Sequence, residues 1–284
     1  MTATIALLGH PVAHSISPRF QQAALDALGI DARYEAWDTA PAALPAAVER
    51  LRSGDVLGAN VTVPHKVAAM RLVDRPDPLV ELVGAVNTIV RRDGALHATN
   101  TDVVGVLRAL EDAGVDPAGR HVVLLGAGGA ARAVVVAMRR GRAASLTVAN
   151  RSLERARALA ALGGADLAVE VCPLDPASEA LQAALARAEL VIHSTSLGMR
   201  HGPDERATPL PAESFHPGQV AFDLVYIPER TPFLAAAERG GARTVGGLAM
   251  LVHQGAEAFR LWTGQTAPVD VMFEAAREAL REPR

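Results

Sequence analysis

The stretch VVLLGAGGAARAVV, Val122 to Val135, constrains the fold more than any other part of the 284-residue chain. Four apolar residues run straight into a glycine cluster, and a helix-forming run follows at once. Gly126, Gly128 and Ala131 fit the pattern G-x-G-x-x-A between a strand at Val122–Leu125 and a helix starting near Gly129. The first glycine permits a tight turn, the second lets the backbone approach a pyrophosphate, and the small third residue lets helix and strand pack closely. The helix N-terminus then faces the phosphates. Flavin and adenosylmethionine sites share the glycine spacing, but the flanking strand and helix predict a dinucleotide site and a nicotinamide-dependent oxidoreductase.

From His121 onward, apolar runs alternate with turns and helices. The strands read as Val122–Leu125, Ser145–Ala149, Leu190–His193 and Val220–Leu224, the pattern of a parallel sheet covered by helices. The first hundred residues read differently. Thr4–Leu8, Arg33–Trp37 and Val56–Val61 are strands, and Asp93-Gly94 between two runs able to alternate predicts a two-residue hairpin in TIVRRDGALHAT. Ser17-Pro18 predicts an N-cap and a first helical residue, with Phe20, Ala23, Ala24 and Leu28 spacing an apolar face before Gly29. Further helices are expected at Pro41–Leu51, Pro64–Met70, Val103–Ala113, Gly247–Trp262 and Val269–Leu280, and a polar surface loop over residues 200–208. The expected fold class is α/β: an N-terminal α/β unit with a mixed sheet, plus a Rossmann-like parallel-sheet dinucleotide domain.

Composition narrows the function classes. Half of the residues are hydrophobic and 21% are charged, as in a compact folded protein. A net charge of -3 leaves no basic excess for nucleic acid. Cys172 is the only cysteine, so an internal disulfide and a thiolate zinc site are excluded, and a reducing compartment is compatible. The nine histidines show no H-x-H or H-E-x-x-H spacing, so no metal is expected. The N-terminal TATIALLGH lacks a basic region and its apolar run is too short for a leader or a membrane span, which predicts a cytoplasmic protein with no membrane partner.

Asn150 stands 24 residues after Gly126, close to where NAD-binding folds place an acid on the ribose. No acid is there. Arg151 and Arg155 lie one helical turn apart and could converge on a 2′-phosphate, which favours NADP over NAD; read alone, both are ordinary solvated arginines.

In NVTVPHK, Asn60 and Thr62 share one side of a strand end, and Lys66 falls on the first turn of the helix expected there. A lysine ammonium can donate a proton and steady negative charge on a carbonyl oxygen, although a lone lysine is ordinarily a surface group. Asp102 in Asn100-Thr101-Asp102 reads either as a helix N-cap or as the carboxylate that holds Lys66 charged. Ser15 and Ser17 follow a strand end, where hydroxyls meet a polar ligand or simply serve a turn, and Asn87 can donate to the same place.

Taken in order, SISP at Ser15–Pro18, NVTVPHK at Asn60–Lys66, GAVNT at Gly84–Thr88 and NTD at Asn100–Asp102 resemble the shikimate dehydrogenase family. GAGGAARA at Gly126–Ala133, NRS at Asn150–Ser152, DLVY at Asp223–Tyr226 and GGLAMLVHQGA at Gly246–Ala256 extend the resemblance over nearly the whole chain. It implies reversible reduction of 3-dehydroshikimate to shikimate by NADPH, on the way to chorismate and the aromatic amino acids. Lys66 and Asp102 would serve the proton, with the choice between them open. Ser15 and Ser17 would bind the substrate carboxylate, and Asn60, Thr62, Asn87, Tyr226 and Gln254 its hydroxyls or carboxylate.

The cofactor residues implied are Gly126, Ala127, Gly128, Gly129, Ala130, Asn150, Arg151, Ser152 and Arg155, with Ser196 on the ribose side and Gly247 and Met250 near the nicotinamide. The resemblance also implies a substrate domain of residues 1–103 completed by 247–284, around an inserted NADP domain of residues 104–246, in a monomer or homodimer. Two departures stand out: Ser152 where threonine is usual, and HSTS at His193–Ser196 where NATP-like or NATS-like sequences are common. The rival readings are a quinate or dual-specificity dehydrogenase using NAD(P), a nucleotide-binding sensor without chemistry, and an adenosylmethionine-dependent methyltransferase.

Overall fold

Unbroken apolar runs such as that of β1 (Ala3–Gly9) become strands covered on both faces, and its last five residues are all buried. A computed structural model describes residues 2–200 and 202–282; Met1, Pro283, Arg284 and His201 of the polar stretch 200–208 lie outside the described residues. Two units divide the chain, one of residues 1–105 with 252–284 and one of residues 106–251.

The first unit holds, in chain order, β1, α1 (Ser17–Ala27), β2 (Ala32–Asp38), α2 (Leu44–Arg50), β3 (Val56–Val61), β4 (Arg75–Pro76), α3 (Pro78–Val83), β5 (Thr88–Arg92), β6 (Ala95–Thr99) and the start of α4 (Asp102–Asp112). Its six-stranded sheet runs β2-β1-β3-β5-β6-β4. β1 pairs in parallel with β2 and β3, whereas β5 lies antiparallel to both β3 and β6, so the sheet is mixed. The hairpin turn has Asp93 at φ 51° and Gly94 at φ 76°, both left-handed, the twist that lets a two-residue loop join antiparallel strands.

Leu8, Leu51, Val61, Ile89 and Leu96 belong to one buried core. Trp262 is anchored to the same sheet by its indole N–H, which donates to the Ile89 carbonyl at 2.9 Å.

The second unit follows with β7 (His121–Leu125), α5 (Gly129–Arg140), β8 (Ser145–Asn150), α6 (Leu153–Ala160), β9 (Ala168–Pro173), α7 (Glu179–Arg187), β10 (Leu190–His193), β11 (Val220–Asp223), α8 (Pro232–Arg239) and β12 (Arg243–Val245). Then come α9 (Gly247–Thr263) and α10 (Val269–Arg281). The second sheet is six-stranded and runs β12-β11-β10-β7-β8-β9, with every pair parallel. That is the doubly wound order, with its topological switch between β7 and β10, where such sheets bind ligands at the carboxyl ends of the strands.

Three local expectations are corrected. The N-cap of α1 is Ile16, without a side-chain cap bond; Ser17 is already helical, and Pro18 follows within the first turn. Over Pro64–Met70 the chain forms turns and then a 3-10 segment at Ala68–Arg71, so Lys66 sits on a turn and not on a helix. Pro41–Leu51 divides into a 3-10 turn at Pro41–Ala43 followed by α2. In the first two cases a proline early in the segment suggested a regular start that the neighbouring strand ends override.

Candidate active site

The turn carrying Lys66 is pinned from two sides. The buried His65 ring places Nε2 2.6 Å from the Thr39 carbonyl oxygen, and the Lys66 carbonyl accepts the Val86 N–H at 2.7 Å. Lys66 Nζ then donates to Asp102 Oδ2 at 2.5 Å. Asp102 opens α4, but Asn100 Oδ1 takes its N–H at 3.0 Å, and the carboxylate is directed to Lys66 and Asn87.

Asn87, fixed by the strand β5 that follows it, connects the pair to the rest of the site. Its Nδ2 donates to Asp102 Oδ1 at 2.8 Å and lies 3.0 Å from Thr101 Oγ1 and 3.3 Å from Gln254 Oε1. Its Oδ1 accepts the Thr101 N–H at 2.7 Å and the Thr88 hydroxyl at 2.9 Å. Asn60, at the end of β3, donates to the Asn87 carbonyl at 3.1 Å and accepts the Tyr34 hydroxyl at 2.7 Å. Burial pushes the Tyr34 phenol pKa up, which keeps it a donor to Asn60.

Each polar group in this network has a partner, so the arrangement is rigid before any ligand arrives. The Lys66 side chain is 20% exposed and that of Asp102 only 5%. An ammonium has three N–H donors, and Asp102 takes one.

Ser15 and Ser17 lie at the other end of the loop after β1. The Ser17 N–H donates to Ser15 Oγ at 3.2 Å, and Ser17 is itself buried. Thr62, just past β3, is half-buried. Neither serine nor Thr62 is hydrogen-bonded to the Lys66–Asp102 network among the described residues. Tyr226 belongs to the second unit, half-buried after β11.

Sequence reading missed Thr101, Thr88 and Tyr34. Thr101 stands inside a quoted motif, yet its hydroxyl gave no signal of its own. Nothing in the spacing marks Tyr34 beyond its place on an alternating strand.

In the second unit, β7 ends in a turn closed on one side and open on the other. Gly126 has φ 107°, and a Cβ there would stand 2.9 Å from both Ser194 Oγ and Thr195 Cγ2. At Gly128 and Gly129 a Cβ would meet nothing within 4 Å, and both residues are exposed. The first N–H groups of the twelve-residue α5 thus border open space, a cradle that fits a pyrophosphate. Ala127 and Ala130 flank it, half-buried.

After β8, Asn150 Nδ2 donates to the Ser152 carbonyl at 2.9 Å, and Ser152 Oγ caps α6 by accepting the Arg155 N–H at 3.3 Å. This turn leaves Arg151 and Arg155 exposed, and neither enters an ion pair among the described residues. Two free guanidinium groups fit a 2′-phosphate. Ser196 is exposed after β10, and Met250 is buried in α9. Gly247 opens α9 where a Cβ would stand 2.6 Å from the Leu224 carbonyl oxygen, so the strand end and the helix start meet backbone to backbone.

An ammonium–carboxylate pair in a buried polar network, together with a doubly wound sheet bearing a glycine turn at its switch point, defines a dinucleotide-dependent oxidoreductase. Three family profiles match in order: "Shikimate dehydrogenase substrate binding domain" over residues 7–89, "Shikimate / quinate 5-dehydrogenase" over 109–215 and "Shikimate 5'-dehydrogenase C-terminal domain" over 247–277. The chain belongs to the shikimate dehydrogenase family.

A shikimate dehydrogenase (NADP(+)) of Moorella thermoacetica is 50% identical over 98% of this chain and 94% of its own length. The one of Symbiobacterium thermophilum is 49% identical over 97% and 94%. Among solved structures, shikimate 5-dehydrogenase from Thermus thermophilus, in complex with NADP(H) and shikimate, superposes with a TM-score of 0.87 at 42% identity, over 98% of this chain and all of that one. Among the described residues no helix is long and apolar enough to cross a membrane.

Proposed function

We propose that this protein catalyses the reversible reduction of 3-dehydroshikimate to shikimate by NADPH, with Lys66 as the proton donor and Asp102 as the carboxylate that holds it. The Lys66–Asp102 pair, fixed by Asn87, Thr101 and Gln254, carries the reading. NADPH, when bound, supplies the hydride. Lys66 hands a proton to the substrate oxygen as negative charge develops there, and in the oxidative direction the neutral amine takes the proton back. Asp102 aims the ammonium, and Asn87 keeps Asp102 from turning away.

Ser15 and Ser17 bind the substrate carboxylate in this reading, and Asn60, Thr62, Asn87, Tyr226 and Gln254 contact its hydroxyls or carboxylate. The first unit is thus the substrate domain and the second the NADP domain, whose cradle comprises Gly126 to Ala130 with Asn150, Arg151, Ser152 and Arg155. Ser196, Gly247 and Met250 complete the cofactor contacts. The reaction belongs to chorismate and aromatic amino-acid biosynthesis in the cytoplasm, carried out by a monomer or homodimer.

Formation of reduced nicotinamide from shikimate and NADP tests the proposal, run beside quinate and NAD in all four combinations. Fastest turnover with shikimate and NADP is expected, and faster quinate oxidation with NAD would overturn it. Replacing Arg151 and Arg155 together by alanine is expected to raise the Kd for NADP roughly 10- to 100-fold, the loss of charge-assisted hydrogen bonds to a phosphate, and to leave NAD binding unchanged. Equal weakening of both cofactors in a calorimetric titration would remove the arginines from 2′-phosphate recognition.

A further inference from the structure

We infer that His193 is a positioning residue for the dinucleotide turn, acting through Thr195. This rests on the NADP reading given above. His193 ends β10, in register with Leu125 of β7 on one side and Asp223 of β11 on the other. Both His193 and Asp223 are fully buried. His193 Nδ1 lies 2.9 Å from Asp223 Oδ1 and Nε2 lies 2.5 Å from Thr195 Oγ1.

A carboxylate only accepts, so His193 Nδ1 carries the proton of its pair with Asp223. Asp223 Oδ1 also accepts the Val225 N–H at 2.9 Å, and Oδ2 accepts the Thr231 hydroxyl at 2.5 Å. Thr195 Oγ1, bonded to Nε2, also accepts the Leu197 N–H at 3.2 Å, so the hydroxyl is held from two sides. The Thr231 oxygen in turn caps α8 through the Leu234 N–H at 3.1 Å, so the carboxylate is anchored to a helix end. Phe233 of that helix stacks on the ring, with centroids 4.9 Å apart.

The ring therefore links a fixed carboxylate to Thr195, and Thr195 is the residue that closes the glycine turn. Its Cγ2 and the Ser194 hydroxyl form the wall that a side chain at position 126 would strike. Ser194 adds two bonds to the Leu125 carbonyl, from its N–H and from its hydroxyl, each at 2.9 Å. An asparagine at 193 could still donate to Asp223, but its shorter side chain would not span the distance to Thr195. The histidine is thus one of this chain's own means of setting the shape of the phosphate cradle.

Thr195→Val keeps the shape of the side chain and removes the hydroxyl. It is expected to raise the Kd for NADP, measured by titration without substrate, about tenfold. The KM for shikimate should stay within about twofold, since the substrate contacts are elsewhere. His193→Asn should weaken NADP to a similar degree, and Thr195→Ser, which restores the hydroxyl, should recover most of the affinity.

Unchanged NADP affinity in Thr195→Val or His193→Asn would overturn the inference, even with a lowered thermal midpoint, because that is the signature of a purely structural network. Failure of Thr195→Ser to recover affinity would overturn the hydroxyl's part. Wild-type protein that does not bind NADP would overturn both this inference and the proposed function, whereas wild-type turnover with unaffected variants would overturn this inference alone.

Discussion

Lys66→Ala is expected to lower kcat by about two to four orders of magnitude, the usual contribution of a positioned general acid. The chain should still fold and its Kd for NADP should stay close to wild type, while the thermal midpoint falls because the buried Asp102 carboxylate loses its counter-charge. Asp102→Ala should cost nearly as much, and the double variant little more than either alone, since the two act as one unit. Single-turnover kinetics with saturating NADP and shikimate would check this. Wild-type kcat in Lys66→Ala would remove the lysine from the chemistry.

Gly126→Val is expected to abolish NADP binding within a titration range of about 100-fold, for two reasons that act together. The backbone there holds φ 107°, which a β-branched residue resists by about 1–3 kcal/mol, and the added carbon would press on Ser194 and Thr195. Gly128→Ala separates binding from folding. Its φ is -91°, which alanine adopts freely, and nothing lies within 4 Å of the added methyl group. Denaturation of Gly128→Ala should match wild type while NADP binds more weakly, because the methyl group occupies the space a pyrophosphate needs. Unchanged NADP affinity in Gly128→Ala would show that the cradle faces something else.

The second sheet was legible in the sequence wherever strands are covered on both faces. The continuous apolar runs at β7, β10 and β11 have only one interpretation when glycine or polar turns bound them. Of the four sheet edges, only β2 was legible. β9 reads AVEVCP with alternating exposure, β12 has three residues, and β4 has two, one of them proline, so none carries a distinctive pattern.

The motifs named Lys66, Asp102, Asn87 and Gln254, which the structure brings into one hydrogen-bonded network. The supporting bonds from Thr101, Thr88 and Tyr34 were invisible because a hydroxyl that orients another side chain has no spacing rule. The expected helix at Pro64 failed for a related reason. Its first turn is used to hold Lys66 between the Thr39 and Val86 backbones, and that long-range demand leaves no trace in local residue preference.

The first unit is completed by residues 252–284, and this has a consequence for how the chain comes off the ribosome. Phe20 and Gln21 on α1 face Gly255, where any side chain would strike them, and the Gln21 amide donates to the Gly255 carbonyl at 2.9 Å. Gln254, which closes the network around Asn87, is supplied by the same late segment. During synthesis the second unit has all its strands once residue 245 has emerged, while the earlier-made first unit waits for the last helices. The network around Asn87 is therefore completed last by a residue translated long after its partners, and a nascent chain stopped short of α9 would hold every strand of the second unit while lacking Gln254 and the helices that complete the first.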